Sequence, residues 1–394
     1  MSVLDGNIQM SALLNDPNIS VEIGREIEDM SWDDSKWHPI VGRGENRGVR
    51  VFSAETKDPY RPRLKAALSG AGVRGEADFA TNFDKIEIYS QTITPQIIGN
   101  AVPSGNKQYE KMKHIDFVRE AKDSLTNWIR VARDKLFCTA LFNDLTDCVV
   151  ADATNGHKNV SKSADVKAAA QKIVNGDVLT VATLKQAIKQ AKMGVIYNGK
   201  ARYPMRPVKC TTAPNPKDIS VVYQNFVILL DTYQIYQILQ DPEWKDMQKY
   251  APKSETNRIF TGLVGMVDGC PVLDMGVWGQ DQAGLVNSET SNSEYKDFII
   301  ADNLVNGKIT YPSQYANNQP TSFGYLIGAS ALLMAGTTQP AFWIEEYDMG
   351  RKVRVGIDRL MGIAKAKFKP NESSALDRFA GTDFSVIGII SSKE

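Results

Sequence analysis

Residues 107–143 read KQYEKMKHIDFVREAKDSLTNWIRVARDKLFCTALFN. Ile115, Val118, Ala121, Leu125, Trp128, Ala132, Leu136 and Ala140 recur at steps of three and four, which puts them on one stripe of a helix. At 1.5 Å per residue, a helix over Lys107–Asn143 reaches roughly 55 Å. That is far beyond the three turns usual in a globular protein. The helix reads as a strut, and the segments beside it read as arms. A strut with arms suits a part of an assembly better than a self-contained catalyst.

Bulk composition narrows the choice. The chain has 394 residues, enough for two or three units. Hydrophobic residues make up 42%, which supports real cores and argues against a membrane protein. Lys plus Arg and Asp plus Glu number 46 each, so broad nucleic-acid affinity is not the expected main task. Of the four cysteines, Cys138, Cys148, Cys210 and Cys270, none forms a CxxC pair. Reduced, mostly buried thiols in a cytoplasm are expected, and no metal site. The first 24 residues lack Lys, Arg and a continuous apolar core, so no secretory leader is expected.

Working outward from the strut, residues 1–45 read as an N-terminal arm with short helical pieces at Ile8–Leu14 and Ile19–Trp32. Trp32 and Trp37 stand amid charge there and are expected to dock against something else in the structure. Residues 46–90 read as strand, polar excursion and strand, with little to bury themselves on. Ser90–Ala101 is extended.

Beyond the strut, Lys167–Val174 reads as a short helix, and Thr183 with Gln186 as a capping box for a helix through Lys192. Val227–Leu230 is a buried strand, and Asp231 caps a helix that stops before Asp241-Pro242. Residues 280–297 and 306–322 are polar loops. Phe323–Ala335, apolar on every side, reads as a buried helix. Trp343, Glu345 and Tyr347 share one strand face, and Val353, Val355 and Ile357 another. Phe384–Ile390 is a central strand.

Motifs for chemistry are weak. Gly70-Ala71-Gly72-Val73-Arg74-Gly75 matches GxGxxG, but neither a buried strand before it nor a helix after it is indicated, so loop glycines are expected. His38, His114 and His157 lie far apart in polar settings. Glu345, Glu346 and Asp348 form an acidic cluster beside Arg351, Lys352 and Arg354, where ion pairing within the chain or across a contact is expected. Arg47, Arg50, Lys57, Arg61, Arg63 and Lys65 make the excursion basic. With only Phe52 and Tyr60 to stack on, a charged lap on a neighbour is expected rather than single-strand binding. The candidate inter-subunit contacts are therefore Trp32, Trp37, Arg47, Arg50, Tyr60, Arg61, Arg63, Lys65, Glu345, Glu346, Asp348 and Arg351.

Several stretches, in this order, resemble the Hong Kong 97-type fold of tailed-phage major capsid proteins, and more narrowly the N-four-type major capsid family. They are Gly70–Glu76, Val227–Leu230 with Gln234, Leu239, Asp241, Trp244 and Gln248, Phe260–Gly262 with Gly265 and Gly269, Gly328–Leu332, Trp343–Gly350, and Asp383–Val386. The likeness runs from about residue 40 onward. Ala77-Asp78-Phe79 departs from it, since family members tend to show a Leu-Glu-Gly-like stretch there.

The resemblance implies an α+β fold. Its parts are an N-terminal arm (1–45), an extended loop (46–90), a peripheral domain with the spine helix (91–179), an axial domain (180–335) and C-terminal strands returning to the peripheral domain (336–394). It implies a structural, non-enzymatic subunit of an icosahedral virion shell around double-stranded DNA, contacted non-specifically. Partners would be identical subunits in pentamers and hexamers, a separate scaffolding protein, a portal and, in some members, decoration proteins. No cofactor, metal or membrane is implied. An encapsulin-like compartment, a tail or portal component, and a nucleotide-binding enzyme using residues 70–75 are the competing expectations.

Overall fold

A computed structural model describes residues 17–65, 73, 86–105, 117–142, 145–160, 173–194, 196–197, 200–201, 204–211, 222–250, 263–276, 321–371 and 382–393. In chain order the elements begin with α1 (Pro17–Asp33), β1 (Val41–Gly42), β2 (Val49–Ser53), β3 (Arg63–Lys65), β4 (Ile88–Ser90), β5 (Gln96–Pro103) and α2 (Phe117–Phe142). Then come β6 (Cys148–Asp152), β7 (Gly156–Val160), α3 (Val181–Met193), β8 (Ile196–Tyr197), β9 (Lys200–Ala201), β10 (Val208–Thr211), β11 (Val222–Asn225) and β12 (Val227–Leu230). After α4 (Thr232–Gln240) and α5 (Pro242–Tyr250) follow β13 (Leu263–Val267), β14 (Cys270–Asp274), β15 (Thr321–Ile327), β16 (Leu332–Gly336), β17 (Ala341–Tyr347), β18 (Lys352–Lys365), β19 (Lys369–Pro370) and β20 (Val386–Ser392).

Two large sheets carry the fold. A seven-stranded sheet runs β13-β14-β12-β15-β20-β6-β7. Its central strands β12, β15 and β20 are mostly apolar and are buried along their whole length, because both faces are covered. Leu184 and Ile188 of α3, with Ile235 and Ile238 of α4, pack on one side. A six-stranded sheet runs β1-β2-β16-β18-β17, with β5 also paired to β18. A small sheet, β19-β4-β3, is set beside it.

The strut lies across the six-stranded sheet. Its described part covers 26 residues, roughly 39 Å of helix; residues 107–116 fall outside the described residues. Ala121, Leu125 and Ile129 pack with Phe342, Val353, Val355 and Ile357 of the sheet and Ile27 of α1. The last turns behave differently: Leu136 to Phe142 are all buried, in a core shared with Phe323, Tyr325 and Ile390 of one sheet and Met334, Met361 and Ile363 of the other. The helix is a one-sided stripe at its start and a core element at its end.

Several expectations need correction. Residues 323–335 are not a helix but β15 and β16, which belong to different sheets. Gly328 and Ser330, the latter at φ 55°, turn the chain between them. A short run that is apolar on every side does not separate a buried helix from a doubly covered strand, and here the strand won. β20 and β6–β7 belong to the seven-stranded sheet and β16 to the six-stranded one.

Within the described part of 46–90, the chain buries itself on its own fold. β2 pairs in parallel with β16, Val49 is fully buried, and Leu64 and Tyr89 enter a core with Phe368 and Phe384. The Thr183 capping box does not form either. Thr180 holds the N-cap position of α3, and the Thr183 hydroxyl donates to the Gly156 carbonyl at 2.9 Å. α4 does end at Asp241-Pro242, but Pro242 opens α5 at once, with the Asp241 carboxylate accepting from the Glu243 N–H at 2.9 Å. Residues 8–14, 167–172, 280–297 and 306–320 lie outside the described residues.

Candidate assembly interface

The arm helix α1 is fixed to the body by buried charge. Arg359 of β18 meets Glu28 of α1 at 2.6 Å and donates to the Thr337 carbonyl at 3.1 Å. Arg133 of α2 is wholly buried. Its guanidinium lies 3.4 Å from the Trp32 ring centroid, donates to the Ser31 carbonyl at 2.7 Å and hydroxyl at 3.1 Å, and stands 4.0 Å from Glu28. The Trp32 indole N–H donates to Glu28 at 2.5 Å, and the Ser35 hydroxyl to Asp134 at 2.8 Å. Two cations and two carboxylates thus balance inside the fold.

Burial lowers Arg133 to about 10, which still leaves it charged at neutral pH, and Glu28 and Asp134 oppose the drop. Burial raises Asp134, with Arg133 opposing. A second inner pair joins Lys365 to Asp383 at 3.0 Å, where Asp383 also accepts from the Thr146 N–H at 3.0 Å.

The candidate contact residues separate into distinct groups. Trp37 is a correction: it is 0% exposed, with its ring 5.3 Å from that of Phe137, and offers a neighbour no surface. Trp32 is half-buried and its free edge lines an open hollow of about 470 Å³ with Asp29, Asp33, His38 and Val41. Tyr60 is half-buried on Phe52 at 5.0 Å and exchanges backbone hydrogen bonds with Ile93. Arg50 turns to its own chain, over Phe52 at 4.7 Å and toward Glu45 at 3.3 Å. Arg47 is exposed, while its carbonyl accepts from the Ser330 N–H at 2.7 Å. Arg61, Arg63 and Lys65 are exposed on and just before β3.

The acidic group sits at the tip of the β17–β18 hairpin. Asp348, Met349 and Gly350 turn with φ of 57°, 53° and 79°. Asp348 pairs with Lys352 at 3.5 Å, Glu345 stands opposite Arg354, and Arg354 lies over Tyr347 at 4.3 Å. Glu345, Glu346 and Arg351 are exposed there. The structure does not bring this tip and the basic strand into one site.

Sequence reasoning missed the Glu28–Arg133–Arg359 cluster. The one signal was Arg133-Asp134 inside the apolar end of the strut. Cys138, Cys148 and Cys270 are buried and form no disulfide, and burial pushes all three thiols up. Of residues 70–75 only Val73 is described, so the glycines of that stretch lie outside the described residues. Among the described residues no group of His, Cys, Asp and Glu could hold a metal ion, and no helix is long and apolar enough to cross a membrane.

A family model described as phage capsid protein matches residues 49–393. This chain belongs to that family. The capsid chain is 35% identical over 404 residues to the major structural protein ORF14 of Helicobacter pylori bacteriophage KHP30, covering 98% of each. It matches the head structure of Helicobacter pylori bacteriophage KHP40 with a TM-score of 0.73 and 35% identity, covering 100% of both chains. The capsid of Ralstonia phage GP4 shares the fold at a TM-score of 0.61 and 16% identity, over 90% of each chain. The capsid chain therefore has the Hong Kong 97-type fold, and its function is structural, as a phage head subunit found in the virion among many copies of itself.

Proposed function

We propose that copies of this chain gather into pentamers and hexamers and close an icosahedral shell around double-stranded DNA. The alignment over 98% of the chain with a phage major structural protein carries this reading. In it the six-stranded sheet, α1 and α2 form the peripheral unit, and most of the seven-stranded sheet with α3 and α4 forms the axial unit. The connection between β3 and β4 laps over a neighbouring subunit. DNA is held without sequence preference, consistent with 46 basic against 46 acidic residues. The chain carries out no chemical step. Assembly occurs in the host cytoplasm with a scaffolding protein and a portal, and decoration proteins are optional additions. Many modest contacts, repeated on every copy, suffice for such a shell.

Sedimentation of the purified chain, alone and with a co-expressed scaffolding candidate, tests this. Fast, uniform particles are expected. Cargo-loaded particles that never take up DNA in an infected cell would instead favour a protein compartment.

A further inference from the structure

Four cations stand on one face of the small three-stranded sheet. Arg61, Arg63 and Lys65 are exposed and alternate with the buried Pro62 and Leu64, so all three project to the same side. Arg63 and Lys369 flank Ser90 in register across β4, and Lys369 is exposed as well. None of the four has an ion-pair partner among the described residues. The opposite face, with Leu64 and Tyr89, is closed by the protein's own core.

The complement lies on α1. Glu22, Glu26, Asp29 and Asp33 are exposed and follow one another at steps of four, three and four, which lines them up opposite the buried Ile27 and Ser31. Glu26 has Lys122 at 2.5 Å, and among the described residues Asp33 has only the exposed His38 at 3.7 Å. The last turn of α1 contains no basic residue. Carboxylates at a helix C-terminus oppose its macrodipole, so Asp29 and Asp33 gain from a cation brought from outside.

Lengths agree too: the acidic stripe is roughly 17 Å long and the basic strand roughly 13 Å. Within one chain the two cannot neutralise each other. α1 packs with Phe342 and Val355, whereas β3 packs with Phe368 and Phe384, and no ion pair joins them among the described residues.

We propose that the basic row of one copy lies along the acidic stripe of α1 in the next copy. The contact joins two different surfaces, so repeated it runs head to tail and closes as a ring. Complementary charge here sets register and encounter rate. The inference rests on the head-subunit reading and adds the partner surface to it.

Charge exchange tests it. Arg63→Glu/Lys65→Glu and Asp29→Lys/Asp33→Lys should each lower the yield of sedimenting particles about tenfold, and the chain carrying both pairs should recover to within about threefold of the original. Thermal melting of the unassembled chains serves as the folding control and should be unchanged within about 2 °C in all three. Assembly that tolerates either reversal overturns the lap, as does a combined chain no better than the single ones. Loss of packaged DNA with normal shells after Arg63→Glu/Lys65→Glu would assign the row to phosphate and overturn it as well. An original chain that forms no particles under any condition overturns the head-subunit reading itself, and the lap with it.

Discussion

Arg359 and Glu28 stand 331 residues apart in sequence and 2.6 Å apart in space, buried between the longest strand and the arm helix. Arg133 lies 4.0 Å from the same carboxylate, so Glu28 serves two cations that have lost their water. Such a cluster adds little net stability over an apolar core, yet losing one member is costly. Its evident role is positional: it fixes where the arm leaves the body.

Glu28→Gln should therefore destabilise the unassembled chain by about 3–5 kcal/mol, because two buried guanidinium groups lose their shared partner. Replacing Glu28, Arg133, Asp134 and Arg359 together by Leu or Met should cost far less, because no buried charge is then left without a partner. Urea unfolding of the two variants makes the comparison, and equal loss in both would contradict it.

Trp37→Ala should cost about 3–5 kcal/mol in the single chain, since the side chain is buried in its own core. Trp343, by contrast, is 61% exposed, with its indole N–H donating to Asp358 at 2.8 Å. Trp343→Ala should stay within about 1 kcal/mol of the original. Melting of both unassembled variants checks the ranking.

A side chain at Gly265 would place its Cβ 2.7 Å from Cζ2 of the buried Trp244 ring. Gly265→Ala should thus displace that ring and cost about 1–3 kcal/mol. A changed near-ultraviolet dichroism, together with the lower melting point, is the expected signature.

Asp231, the N-cap residue of α4, is raised from 3.8 to about 6, first by burial, while the Ser322 hydroxyl opposes. A folded value above the unfolded one means the folded state holds the proton more tightly. The resulting stabilisation is complete below about pH 4 and is lost as the pH rises through about 6. Asp231→Asn keeps a good capping residue. It should flatten the stability profile between about pH 4 and 7 and raise stability at neutral pH by about 1–2 kcal/mol. Unfolding midpoints across that range decide it.

The sequence was legible where one physical pattern dominated. Three-and-four spacing marked α2, and the unbroken apolar runs of β12 and β20 marked central strands. It failed at 323–335, where burial on both faces erased the periodicity that separates strand from helix. It also failed at Trp37, since an aromatic in a polar arm looks the same whether its own chain or a neighbour covers it. Glu28, Arg133 and Arg359 come from three distant segments, and nothing local announces their meeting. The basic strand was visible as charge, but its one-sidedness needed the buried Leu64 between Arg63 and Lys65.

Electron microscopy of the particles formed by the purified chain, with and without a scaffolding candidate, tests the central claim most directly. Closed icosahedral shells, or sheets and tubes built from hexameric units, are the expected result. A uniform monomer or dimer under both conditions would contradict it.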